Sequence, residues 1–324
     1  MRIGIGVGGS VGQSAGLEGH IREIEAAERD GFDSVWIPHI RGWDALTVIA
    51  IAGTRTSRIE MMTGVVPVYT RHPVLMAQQA LTTQAATVRE GAPASTGRLA
   101  LGIGLAHPET VVTWWGLSYD HPARYMREYL AVLVPLLKGE SVNVKGEVHR
   151  ASASLELTGV PAPAVVLAAL APKMLDLAGG IADGTLTWMV GRRALETHVM
   201  PRISKAAQRA GRPAPRVCVA LPVCVTDDPA SAHRVIAERF KRYGQLVNYR
   251  RVLDIGGAAG PADVAIIGKE ADVESQIRGL AAAGATDFFA AVTPAGPDPV
   301  ESDARTRALM KALAARPRSY NDTT

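Results

Sequence analysis

The sequence predicts a (β/α)8 barrel, and three observations carry that expectation. Short β-branched runs alternate with helical patterns along the chain, and eight such pairs can be counted. The runs are continuously apolar rather than alternating, as strands buried on both faces must be. The composition is globular, with 47% apolar and 20% charged residues. A length of 324 residues would allow two ordinary domains. Eight βα units instead predict one barrel domain over 1–324, with insertions at about 140–163 and 244–268.

Residues 3–7 read as the first strand. Leu17, Ile21 and Ile24 then recur at helical spacing, with Glu18, Arg22, Glu25 and Glu28 on the wet face. Gly31 stops that helix before a second strand at 34–37. Asp44 is a candidate cap for a helix over 45–53. A third strand at 59–66 leads to a helix over 74–88, with Pro73 at its start. The fourth strand, 99–103, precedes a helix over 121–137. That helix is amphipathic through Tyr125, Tyr129, Val132, Leu133 and Leu136. Residues 140–163 read as an irregular excursion holding a small hairpin.

The fifth strand is 165–169, followed by a short helix over 172–179. The sixth is 185–189, with a helix over 194–210. The seventh is 217–225, with a helix over 230–243. Residues 244–268 break the rhythm as a long loop, and a helix over 273–283 restores it. The eighth strand, 287–292, and a closing helix over 302–315 complete the count. The polar residues 316–324 are expected to fray.

Several function classes fall away early. The longest nearly apolar run, 160–172, is too short to span a bilayer and is broken by prolines. Glycines cut short the apolar stretch after Met1, and no leader-type cleavage pattern follows. Cys218 and Cys224 lie six positions apart in one predicted strand, ~20 Å of extended chain, beyond disulfide reach. They read as reduced thiols in a cytoplasmic protein. No zinc-type cluster accompanies them, so no metal is expected. The formal charge is +4 and the basic residues are scattered, which does not suit a nucleic-acid binder.

Gly4, Gly6 and Gly9 formally match the G-x-G-x-x-G spacing of dinucleotide-binding folds. That motif needs a full strand before its first glycine and an acidic residue ending the second strand. Only three residues precede Gly4, and the second strand ends in Pro38-His39. The glycines read instead as small residues lining a tight barrel.

Barrel chemistry sits where the strands stop. The strand ends here carry two histidines, His39 and His107, and no carboxylate cluster. They lack a glycosidase's acid pair, a metallohydrolase's ligand set and a Schiff-base lysine. A mouth that is small, apolar and poor in acid–base groups suggests that a cofactor carries the chemistry.

Five stretches bear on which cofactor. They are GFDSVWIPH at 31–39, TGVVPVYTRHPVLMAQQALT at 63–82, GRLALGIGLAHP at 97–108, GLSYDHPARYMREYLAVL at 116–133 and AGGIADGTLTWM at 178–189. On these the chain resembles the luciferase-like monooxygenase superfamily, and within it the branch using the deazaflavin coenzyme F420. The resemblance implies a (β/α)8 barrel with a deazaflavin or flavin in its mouth. It places a bulge with a non-proline cis peptide at Gly64-Val65, backing the ring. It makes His39, and His107 at the end of the fourth strand, candidates to handle a proton. Ala106 falls among the cofactor contacts. So does the turn Ala171, Pro172, Lys173 and Met174, whose N–H groups would hold the cofactor phosphate. This turn lacks the family's usual glycines, and Pro172 has no N–H to give, so Arg192 is expected to assist. Trp188 and Met189 would wall the ring.

Tyr69, Arg71, Tyr249, Arg250 and Arg251 are expected at the rim, its basic residues suiting the deazaflavin's polyanionic tail. The reaction implied is hydride transfer between coenzyme F420 and a small organic substrate. The alternatives are an FMN-dependent monooxygenase using reduced flavin and oxygen, or a non-catalytic carrier of the flavin or deazaflavin. Relatives are often dimers, so a homodimer is an open expectation.

Overall fold

The computed structural model describes residues 1–8, 16–39, 41–89, 91, 96–157 and 159–316. The chain runs β1 (Arg2–Gly6), α1 (Leu17–Arg29), β2 (Ser34–Ile37), α2 (Ala45–Arg55), β3 (Glu60–Thr63), β4 (Val66–Pro67), α3 (Pro73–Thr87), β5 (Leu99–Gly104) and α4 (Pro122–Leu137). A hairpin of β6 (Val142–Lys145) and β7 (Arg150–Ala153) follows. Then come β8 (Ala164–Ala168), α5 (Pro172–Gly180), β9 (Gly184–Trp188), α6 (Arg192–Ala194), α7 (Met200–Arg209) and β10 (Arg216–Val225). The chain continues through α8 (Pro229–Phe240), α9 (Val247–Gly256), β11 (Ile266–Gly268), α10 (Glu270–Ala282), β12 (Asp287–Val292) and α11 (Pro299–Ala314).

Parallel pairing closes a barrel in the order β1, β2, β3, β5, β8, β9, β10, β12 and back to β1. With β4 continuing the third strand, this is the eight-stranded (β/α)8 barrel read from the sequence. β11 pairs with the last residues of β10, outside the closed ring. Closure also disposes of the dinucleotide motif. Gly4 and Gly6 lie within β1, and Gly9 falls outside the described residues.

Two apolar layers result from strands buried on both faces. Ile3, Ile5, Val35, Ile37, Leu99 and Leu101 pack outward against the helices. Met62, Ala100, Val166, Leu186, Cys218 and Phe289 fill the barrel interior, with Trp36, Val65 and Trp188 packed against them. Both cysteines are free and buried.

An ionic cluster gathers the first residues of four strands at the opposite end from the mouth. Arg216 of β10 bonds Asp287 of β12 at 2.6 Å and Glu60 of β3 at 2.5 Å. Arg2 of β1 reaches Glu60 at 3.0 Å and Asp287 at 3.6 Å. Burial raises the Asp287 pKa, but the Arg216 guanidinium outweighs it and holds the carboxyl below its usual value.

Three segments differ from what apolar patterning alone predicts. The third strand is not continuous: it stops at Thr63, passes through a cis Gly64–Val65 peptide and resumes at Val66. Apolar patterning cannot register such a break, because both sides of it are buried. Residues 244–268 are not an open loop. They hold α9, a 3-10 turn at Pro261–Val264 and β11. Here the irregular spacing of apolar residues hid a short helix. The helix expected over 194–210 begins with a wide π-helical stretch, Leu195–Val199, before α7. The hairpin in 140–163 is present. Of the expected frayed tail, residues 317–324 fall outside the described residues.

Candidate functional site

The ends of β3, β5 and β9 share an unusual backbone at the barrel mouth. The Gly64–Val65 peptide is cis, the conformation that the resemblance implies there. Ala106 and Met189 adopt left-handed φ values of 59° and 57°. Left-handed backbone costs a residue with a Cβ roughly 1–2 kcal/mol, so the surroundings must enforce it. These three places lie in the third-strand segment, just after the GIG strand and at the end of the TWM run respectively.

The bulge explains the neighbouring glycines. A Cβ on Gly102 would fall 1.8 Å from Thr63 O, and one on Gly104 2.8 Å from Val65 Cγ2. The Thr63 hydroxyl donates to Gly102 O at 2.7 Å. β5 therefore carries glycines where the bulge presses against it. Trp36 of β2 lies against Gly64 and meets Trp188 edge-on, with ring centroids 5.8 Å apart.

His39 follows β2, and its ring is committed. Nδ1 accepts the Ala45 N–H at the start of α2, at 3.0 Å. Neutral imidazole accepting at Nδ1 carries its proton on Nε2. Arg71 Nη1 stands 3.3 Å from Nε2, so that contact sets two donors face to face. Arg71 is itself held by Asp44 and by Gln79. Burial and then Arg71 lower the His39 pKa, against a smaller upward pull from Asp44. His39 is thus a neutral ring that helps cap a helix and can donate from Nε2.

His107 is placed differently. Its carbonyl accepts from Val111, but neither ring nitrogen has a hydrogen-bond partner among the described residues. The ring faces Tyr249 and Tyr243 at 5.8 and 6.5 Å between centroids. Tyr243 meets Trp188 at 6.0 Å. Arg242 and Glu109 form an ion pair beside this group. Burial lowers the His107 pKa, Arg242 adds to that, and Glu109 opposes it.

A tyrosine stack lines the next sector. Tyr69 stacks on Tyr125 at 4.2 Å and on Tyr119 at 5.5 Å. Tyr129 donates to Arg71 O at 3.0 Å. The hydroxyl of Tyr69 and Nε1 of Trp36 are buried without a partner among the described residues. Burial pushes the Tyr69 pKa well up, keeping the hydroxyl protonated as a donor.

The turn before α5 has few free amides. Pro172 has none, and Met174 N–H donates to Ala171 O at 3.0 Å. Lys173 is exposed at the first turn. Arg192 is exposed too, donates to Glu196 at 2.7 Å and rests over Gly279 of α10. The side chains that do touch this turn are His198, whose Nε2 donates to Leu170 O at 2.8 Å, and Arg202, whose Nε donates to Pro172 O at 2.9 Å. Sequence reasoning missed both, because nothing local marks a residue that reaches back ~30 positions.

Arg250 is also consumed. It bonds Asp254 at 2.8 Å and the carbonyls of Ala258 and Ala259 at 2.5 and 2.8 Å. Arg251 bonds Asn248 at 3.2 Å. Tyr249, by contrast, reaches the His107 group. Among the described residues, no three His, Cys, Asp or Glu side chains are arranged to hold a metal ion. Among the described residues, no helix is long and apolar enough to cross a membrane.

Comparison with known proteins agrees with this architecture. The model of the luciferase-like monooxygenase family matches residues 1–315. The chain is 28% identical over 306 residues to a 5,10-methylenetetrahydromethanopterin reductase of Methanolobus tindarius, covering 84% of this chain and 89% of that one. Its fold is similar to an F420-dependent secondary alcohol dehydrogenase in complex with an F420-acetone adduct. That likeness has a TM-score of 0.74 at 19% identity, over 98% of this chain and 100% of that one. It is likewise similar to the oxygenating constituent of 3,6-diketocamphane monooxygenase of Pseudomonas putida, in complex with FMN. There the TM-score is 0.72 at 19% identity, over 98% of both chains.

Proposed function

This chain belongs to the luciferase-like monooxygenase family, and on that premise we propose that it is an oxidoreductase using coenzyme F420. Its substrate would be a small organic molecule bound over the deazaflavin. The observation that carries this reading is the mouth itself. A cis Gly64–Val65 bulge, two tryptophans and two left-handed residues surround a space almost without acid–base groups. Such a site orients and shields a cofactor rather than supplying the chemistry. The similarity, 29% identity over 239 residues, to a putative coenzyme F420-dependent oxidoreductase of Mycobacterium tuberculosis supports the deazaflavin over FMN.

The residues present fit a planar ring with carbonyl acceptors. Two buried donors, Trp36 Nε1 and Tyr69 Oη, await an acceptor. Gly64 and Val65 would back the ring, Trp188 and Met189 wall it, and Ala106 approach its edge. Bound deazaflavin supplies hydride chemistry, and the chain does the rest. His107, with free ring nitrogens, is the group able to take or give a proton. His39 can donate from Nε2 and orient a substrate oxygen. At the phosphate end the free amides of Ala171 and Lys173 and the Lys173 ammonium would serve, with Arg192 left to its partner Glu196.

A parallel titration of the purified protein with coenzyme F420 and FMN tests the reading, followed by hydride exchange from the reduced deazaflavin. Tight deazaflavin binding with exchange is expected. Binding of FMN alone, or a co-purified chromophore with the flavin visible band, would favour the monooxygenase reading that the FMN-bound fold relative represents.

A further inference from the structure

A groove of about 390 Å³ lies between α5 and α7 on the outer wall of the barrel. The two helices meet closely at Gly179, where a Cβ would fall 2.3 Å from Ile203 O and 3.0 Å from Ala206 Cβ. His198, Arg202, Lys205 and Arg209 line one side. Their spacing of four, three and four positions is that of one helix face. The acid in the groove is Asp176, which Arg202 already holds at 2.7 Å. Lys205 and Arg209 have no acidic partner among the described residues. Some exposed arginines are matched, such as Arg192 with Glu196, Arg278 with Glu274 and Arg307 with Asp303. Others, such as Arg193, Arg127 and Arg234, have no acidic partner among the described residues either. What sets Lys205 and Arg209 apart is that they line one groove together.

The groove starts at the turn before α5, where His198 and Arg202 donate to Leu170 O and Pro172 O. From there it descends along α7. Arg202 to Arg209 spans roughly 10 Å at 1.5 Å per residue. Lys205 and Arg209 are one turn apart, so their heads can meet successive charges on an extended chain.

We propose that this groove is the track for the oligoglutamate tail of the deazaflavin cofactor. The carboxylates would leave the phosphate at the start of α5 and lie along Lys205 and Arg209. This rests on the F420 reading above and deepens it. It also moves the tail away from residues 249–251, because Arg250 is occupied by carbonyls and Asp254. Charge complementarity argues for the occupant: two unmatched cations in a row suit a row of carboxylates. FMN, which ends at its phosphate, would leave them without a partner.

The experiment is calorimetric titration of the whole protein with three ligands: oligoglutamyl F420, the same cofactor lacking glutamates, and FMN. Each is measured at low and high salt, on the natural chain and on a Lys205→Glu/Arg209→Glu variant. The tailed cofactor should bind the natural chain about tenfold more tightly than the tail-less form at low salt, as expected for two partly exposed charge pairs. High salt should erase that difference. The variant should lose the difference while binding the tail-less form as before. Equal affinity for both deazaflavin forms would overturn the track and leave the F420 reading intact. So would an equal loss for both in the variant. Binding of FMN with no binding of either deazaflavin would overturn both.

Discussion

A Cβ placed on Gly64 would fall 0.7 Å from Nε1 of Trp36. The two residues are 28 positions apart and occupy adjoining strands. The indole therefore takes the space that any side chain at 64 would need, and it does so directly beneath the mouth. Gly64→Ala should displace Trp36 and cost about 1–3 kcal/mol, the range for overpacking a filled core. Chemical denaturation checks the size. In a Trp36→Ala background the same substitution should cost much less, and equal costs in both backgrounds would refute the contact as the cause.

The ionic cluster below the barrel predicts a second stability effect. Arg216→Met leaves Asp287, whose side chain is 2% exposed, with the longer Arg2 contact and the Thr286 hydroxyl, which donates to it at 2.7 Å. Removing one partner of a buried pair costs about 3–5 kcal/mol, and the remaining Arg2 should hold the loss near the lower end. The sign with pH follows from the depressed Asp287 pKa. Its stabilisation is full above the carboxyl's unfolded value of about 3.9 and is lost as pH falls through the lower folded value. Denaturation midpoints between pH 7 and pH 3 should therefore converge for the two proteins toward acid. A constant gap would refute the assignment.

His107 should handle the proton in the reaction, while His39 also serves the fold. His107→Asn is expected to lower kcat by about 10²-fold, within the range for a lost acid–base group, with little change in melting temperature. Because burial and Arg242 lower the His107 pKa, the ring stays neutral at pH 7. An acid limb in kcat/KM should lie below the ordinary histidine value of about 6.5 and disappear in the variant. Persistence of that limb would assign it elsewhere.

His39→Ala removes the acceptor for Ala45 N–H. The expected cost is about 1 kcal/mol, as for other lost caps at a helix start. His39→Asn can restore an acceptor, so it should recover part of the melting temperature. If alanine and asparagine melt alike, the ring is not serving that amide.

Legibility in the sequence followed the range of the interaction. Strand and helix identities were readable because burial imposes a local pattern, as in Leu99–Gly104 and Pro122–Leu137. The cis bulge was legible through resemblance, on the GVVP and GIG runs, and not through periodicity. Arg202, His198, Tyr119 and Tyr243 were missed because their partners lie far along the chain. Tyr125 read as the core face of a helix, and it does sit on that helix, but its ring stacks on Tyr69 beside the mouth.

By itself the sequence determined the barrel, its eight strand–helix units and its family. The barrel and its units follow from apolar patterning, and the family from the resemblance of five short stretches; both are properties of local sequence. Only the tertiary structure decided which histidine ring and which cations have no partner among the described residues, and which arginines are already paired. Those depend on closing the barrel, which brings Pro172 to Arg202, His107 to Tyr243 and Gly64 to Trp36. The charge of +4 is a sum over the chain. Its local part is set by which acids the fold places beside each base, and in the α5–α7 groove Lys205 and Arg209 have none among the described residues.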